Sequence, residues 1–244
     1  MHIPVARGWV AGGLTASESP FAGVLLLPPF FHEWQRCYRL FALLADALSH
    51  RGVAMLRFDY RGTGESSGND SDFLPSRALE DADAALTLLR SRCRGPVIIL
   101  GVRAGALLAE RIAARHTLPW WAWQGIDDGA TYFETLRQRH RREINSRSRY
   151  PFLVGKAADD PNALMGHHLH AEFGLELGIF KRTTKPAWRL DVTAGTSDDT
   201  LALPPEFSEW VDQIDLQGVL PLAAVSALAD RFLERLQPTN GAAA

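Results

Sequence analysis

Histidine stops early in this sequence: eight occur in 244 residues and none follows His170. Cysteine is scarcer still. Cys37 and Cys93 are the only two and have no CxxC spacing, which argues against a disulfide-stapled scaffold or a cysteine-built metal centre and reads as two reduced, structural thiols. No window approaches the ~18 uninterrupted apolar residues of a membrane span. No basic segment followed by an apolar stretch of signal length opens the chain, so the expected location is cytoplasmic. Charge of one sign is also missing. With 26 Lys and Arg against 28 Asp and Glu, the formal net charge of −2 gives no pull toward nucleic acid or an anionic membrane. Repeats and low-complexity stretches are absent. What remains is 46% hydrophobic and 22% charged, enough for one larger α/β domain with a sizeable core.

The residues that are present organise around Val97-Ile98-Ile99-Leu100-Gly101-Val102-Arg103-Ala104-Gly105-Ala106-Leu107-Leu108-Ala109. A β-branched run breaks at a glycine, turns within three residues and continues as an alanine-rich helix to about His116, which predicts a strand, a tight elbow and a helix. An edge hairpin is expected over residues 1 to 20, a buried strand at Val24 to Leu27, and a helix from Glu33 to His50. A strand at Val53 to Tyr60, a helix over 77 to 94 and a tryptophan-rich strand at Pro119 to Gly125 follow. Strand and helix alternate, so the fold class is α/β: a mostly parallel, doubly wound sheet with helices on both faces. Regular alternation lapses until about Lys185, and an insertion of that length between strands reads as a helical cap over 127–185, with the core at 1–126 and 186–237. Trp188 to Ala194 resumes the sheet, a short strand is expected near Trp210 to Leu216, a helix spans Pro221 to Leu236, and 238–244 reads as a disordered tail.

Several residues invite chemistry. Arg103 stands at the start of a helix, where free N–H groups favour an anion and its fork suits carboxylate or phosphate; alternatively it forms an internal salt bridge with Asp198, Asp199 or Glu65. The loop Arg61-Gly62-Thr63-Gly64-Glu65-Ser66-Ser67-Gly68 lacks the Lys-Ser/Thr that a phosphate-binding loop requires. His167, His168 and His170 lie close together, but no further ligand at metal spacing is visible, so they read as cap surface, and no metal or cofactor is expected. Trp120, Trp121 and Trp123 read as packing, with alternation setting Trp121 opposite the other two. Arg137, Arg139, Arg141, Arg142, Arg147 and Arg149 make the cap basic, while Asp198, Asp199, Glu206, Glu209, Asp212 and Asp215 make the later region acidic. The two patches suit a homodimer contact or a partner protein.

In their order, LLLPPFFHEW, FDYRGTGESSG and LGVRAGALLA resemble the α/β hydrolase superfamily over about residues 9 to 237. The Pro-Pro-Phe turn, the glycine loop and an arginine at the elbow resemble more closely its exosortase A system-associated hydrolase 2 group, from bacterial exopolysaccharide and protein-sorting loci. The resemblance implies a GxSxG elbow, and this chain reads GVRAG. It implies oxyanion-type donors at the N–H groups of Phe30 and Ala104, a triad acid at Asp198 or Asp199, and a pocket bordered by Phe31, Glu65 and Ser66. It also implies a histidine base after the last strand, where there is none. With nucleophile and base both vacant, the expectation is a degenerate hydrolase that binds a small anionic or acyl ligand or a partner. The alternatives are an acyl hydrolase using Ser66, Ser67 or Ser197 with a cap histidine, and an assembly subunit docking through its basic cap.

Overall fold

The computed structural model describes residues 1–146, 160–192, 198–204, 207 and 222–237. Arg147, Arg149, Ser197, Glu206, Glu209, Asp212, Asp215, the strand expected near Trp210 and the tail from 238 lie outside the described residues.

The chain opens with the hairpin β1 (His2–Val5) and β2 (Gly8–Thr15), then β3 (Ala22–Leu27), α1 (His32–Ser49), β4 (Val53–Phe58), α2 (Pro75–Arg92), β5 (Val97–Val102), α3 (Gly105–His116) and β6 (Trp120–Trp123). The segment after β6 holds α4 (Gly129–Ile144), the two-residue strands β7 (Ala163–Leu164) and β8 (His167–His168), and α5 (Phe173–Gly178). β9 (Trp188–Asp191), β10 (Thr200–Ala202) and α6 (Leu222–Leu236) complete it. Among the described residues, eight strands form one sheet in the order β1-β2-β4-β3-β5-β6-β9-β10. From β4 to β10 every neighbouring pair is parallel, and β2, antiparallel to both β1 and β4, is the one strand of this sheet that runs against the rest. The fold class read from the alternation of elements is the fold observed.

β3 and β5 are buried along their whole lengths, as runs without polar alternation require between two helical layers. α2 and α3 cover one face, together with Phe173 and Leu177 of α5. α1 and α6 cover the other, where Phe232 packs edge-on to Trp121 and Trp188. Arg51 at the end of α1 ties the two helices: its guanidinium donates to Asp230 Oδ1 (2.7 Å), Ser226 Oγ (2.8 Å) and Ala47 O (2.8 Å). The three tryptophans are packed, and it is Trp120 rather than Trp121 that stands alone on its face, because strand parity joins Trp121 with Trp123. α2 starts with Pro75 at its first turn, where the missing N–H costs nothing. The polar stretch after the glycine loop contains a one-turn 3-10 helix, Asp70–Asp72, capped by Asn69. β10 was not expected: three residues are too short for a readable period. Both cysteines are buried and free.

Candidate functional site

Three non-glycine residues hold left-handed backbone at the carboxyl edge of the sheet: Phe31 after β3 (φ 53°), Arg103 after β5 (φ 50°) and Gln124 after β6 (φ 44°). Such conformations cost of order 1–3 kcal/mol each and persist only where the surroundings impose them. At Arg103 the imposition is visible. Its N–H donates to Trp123 O (3.1 Å), and its carbonyl accepts from Ala106 N (3.0 Å) and Ile126 N (3.0 Å). The flanking glycines permit the close approach. A Cβ on Gly105 would lie 2.2 Å from Leu27 O, and one on Gly101 would lie 2.5 Å from Ala106 Cα. The elbow read from the sequence is therefore built, with Arg103 at its apex.

The Arg103 side chain folds onto the protein. Its Nε donates to Glu33 Oε1 (3.3 Å) and its Nη1 to Gln124 O (3.1 Å). The second Glu33 oxygen accepts from the Tyr132 hydroxyl of α4 (3.0 Å). Glu33 is 2% exposed. Burial pushes its carboxyl pKa up, against the opposing pull of Arg103, Tyr132 and Arg139. Burial, and then the Glu33 charge, push the Tyr132 phenol well above its ordinary value. Next to this network, Arg139 Nη1 meets His32 Nε2 at 2.7 Å. Glu33 and His32 open α1, Tyr132 and Arg139 come from α4, and Arg103 from the elbow. Three separate stretches thus converge on one buried carboxylate.

This corrects the expected partners of Arg103. Glu65 is exposed, and its N–H donates to Asp59 Oδ2 (3.0 Å). Asp198 is exposed, and the Asp199 carboxylate pairs with Lys185 while its carbonyl accepts from Arg189 N (2.9 Å). Glu33 was missed, yet its signal was legible. It stands in helical register with Cys37, Leu40 and Leu44 on the buried stripe of α1, and a carboxylate on an apolar stripe requires an internal partner.

The serines of the glycine loop are tied down. Ser66 Oγ donates to Asp59 O (2.6 Å) and accepts from Ala11 N (2.8 Å). Ser67 Oγ donates to Trp9 O (2.7 Å) and accepts from Trp9 N (2.9 Å). Arg61 anchors the loop to α2, donating from its backbone to Asp81 Oδ2 (2.8 Å) and from Nη2 to Asp81 Oδ1 (2.9 Å). The loop is a structural knot rather than a phosphate cradle. Phe30 and Phe31 sit in an aromatic cluster with Phe73 and Phe173, and a small cavity of about 70 Å³ opens between Phe30, Phe31, Trp34 and His167. Ala104 is buried at the entrance to α3. His167 reaches Asp70 at 3.1 Å and the Phe31 ring at 5.0 Å, while His168 lies 3.7 Å from Asp160 and His170 4.0 Å from Glu172. Arg141 lies 4.0 Å from Glu134, and Arg137 donates to Pro161 O (2.7 Å).

A parallel sheet entered by a hairpin, with a strained elbow between its central strand and the following helix, is matched by one family model, described as the alpha/beta hydrolase family, over residues 24–241. The chain belongs to that family. No curated protein matches the sequence at a significant level. Among solved structures, this alpha/beta hydrolase is similar to Est1E from Butyrivibrio proteoclasticus, a structure described with ferulic acid bound, at 16% identity and a TM-score of 0.58, over 97% of this chain and 98% of that one. It also matches XC6422 from Xanthomonas campestris, described as an a/b serine hydrolase without lid, at 18% identity and a TM-score of 0.43, over 50% of this chain and 59% of the other. At these identities the likeness is one of fold. No described helix of this alpha/beta hydrolase is long and apolar enough to cross a membrane.

Proposed function

We propose that this alpha/beta hydrolase family member binds an anionic or acyl ligand, or a partner, under a cap of residues 127–185, and does not hydrolyse esters through a triad. The observation that carries the reading is the elbow itself. Its apex holds a guanidinium, which has donors but no acceptor and is hydrogen-bonded to the buried Glu33. The saturated hydroxyls of Ser66 and Ser67 support it, as does the absence of histidine after His170. Loss of nucleophile and base together removes about six orders of magnitude from a triad enzyme. The Pro28-Pro29-Phe30 turn and Arg103 also resemble the exosortase A system-associated hydrolase 2 group, which supports a cytoplasmic role beside a bacterial exopolysaccharide or exosortase-type system. The N–H groups of Phe30 and Ala104 are the oxyanion-type donors of this reading, and Asp198 and Asp199 remain as carboxylates without a triad. The experiment is intact-mass analysis after exposure to a fluorophosphonate, beside p-nitrophenyl esters of short and medium chain and an Arg103→Ala control. Neither adduct nor turnover above the control is expected. A stoichiometric adduct with turnover overturns the reading and revives an acyl hydrolase, with the modified peptide naming its nucleophile.

One observation favours the second reading, an assembly subunit. Leu175 and Ile179, in and just after α5, are 76% and 75% exposed beside the arginine-rich α4, an apolar pair that a docked protein would cover.

A further inference from the structure

Away from the elbow, a cavity of about 310 Å³ lies among β2, β4 and the first turns of α1. That is the lower end of ligand-site volumes, roughly 300–1,000 Å³, and suits one ring rather than a chain. Arg57 of β4 lines it, and its guanidinium crosses Gly13, on which a Cβ would come within 3.3 Å of Nη2. Arg57 Nε and Nη1 are buried with no hydrogen-bond partner among the described residues. Its one described interaction is with the Tyr38 ring, whose centroid lies 5.0 Å from Cζ. Arg57 as a residue is half-buried, and buried donors left without a partner are costly unless something satisfies them. Its fork matches the two oxygens of a carboxylate.

The remaining wall narrows the ligand. Trp9 is stacked on His2, centroids 3.7 Å apart at 20°, a flat and rigid platform, and Tyr38 is 50% exposed opposite α1's buried face. Asp59 and the exposed Glu65 also line the cavity. Both Asp59 oxygens are engaged, one by Trp34 Nε1 (2.6 Å) and one by Glu65 N (3.0 Å), so neither is spent on Arg57. Two carboxylates beside one arginine repel a dianion such as phosphate more strongly than a monoanion, and they accept hydrogen bonds from hydroxyl groups. We infer that this cavity binds a carboxylic acid carried on a hydroxylated ring, an acidic sugar, with Arg57 holding the carboxylate, the aromatic faces holding the ring, and Glu65 accepting from its hydroxyls. The site is independent of the elbow and of any reading of its chemistry.

Isothermal titration of the full chain with D-glucuronate, D-glucose and inorganic phosphate tests it. Glucuronate binds, and glucose binds about tenfold more weakly or less, the loss expected when a charge-assisted hydrogen bond is removed. Arg57→Gln removes the preference for glucuronate while leaving the thermal midpoint unchanged or higher, because the replaced donors had no hydrogen-bond partner. Tyr38→Ala, at a half-exposed position, weakens both sugars and serves should the first variant not fold. The inference is overturned by equal binding of glucuronate and glucose, by phosphate binding more tightly than glucuronate, or by a lower midpoint in Arg57→Gln that marks Arg57 as structural.

Discussion

Arg103 and Glu33 form a pair whose halves are unequally exposed, 22% for the arginine side chain and 3% for the glutamate. Removing one partner of a buried ion pair costs about 3–5 kcal/mol, and the partial exposure of Arg103 puts Arg103→Ala near about 3. Glu33→Gln should cost less, because Arg103 keeps the Gln124 carbonyl and some water. The double variant Arg103→Ala with Glu33→Gln should recover part of the loss, and chemical denaturation of all three measures the coupling. A double variant no more stable than Arg103→Ala would refute an isolated pair. The sign with pH follows from burial. Glu33 has a folded-state pKa raised above its unfolded value, so the ionised form is disfavoured by folding, and wild type loses stability relative to Glu33→Gln as pH rises through that interval.

Among the elements, the Glu110 carboxylate of α3 ties down the connection that leads into β9. Glu110 Oε1 accepts from Thr183 N (2.8 Å), Thr183 Oγ1 (3.1 Å) and Thr184 Oγ1 (2.7 Å), and also from Thr184 N. Burial pushes its pKa up, but the Thr184 and Thr183 donors prevail and hold it below the ordinary carboxylate value. The stabilisation is therefore complete above the unfolded value, about 4.3, and is lost as pH falls through the folded one. Glu110→Gln should destabilise by about 1–3 kcal/mol at neutral pH, with the gap to wild type narrowing in acid. Thermal melts across pH would contradict this if the gap were constant. Most elements were legible in the sequence because uniform apolar runs mark strands buried on both faces and apolar stripes mark the helices. β7, β8 and β10 were not, since two or three residues carry no period. At the site, the elbow was legible from Gly101 and Gly105, but the Arg103 partner was sought at Glu65 of the glycine loop and at Asp198 or Asp199 after the late strands, where a triad acid belongs. It lay instead on the apolar stripe of α1, the one charged residue among Cys37, Leu40 and Leu44.

On the scale of the whole molecule, the segment between β6 and β9 shares its core with the sheet. Phe173 is fully buried against Phe30, Phe31 and Phe73, and Ser76 of α2 donates to Glu176 of α5 (2.9 and 3.0 Å). Phe173→Ala should cost about 3–5 kcal/mol and lower one cooperative transition in calorimetry. Two separated transitions would mean that the segment folds on its own. The pairing of α1 with α6 has a consequence for synthesis. On a ribosome, the strands bearing Trp121 and Trp188 leave the exit tunnel before Phe232 has been made, and until then that face of the sheet lacks the cover of α6. The nascent protein therefore carries a partly uncovered tryptophan face until α6 has been made, a state that chaperones recognise, and the Arg51 clasp on Asp230 and Ser226 closes only once α6 has emerged.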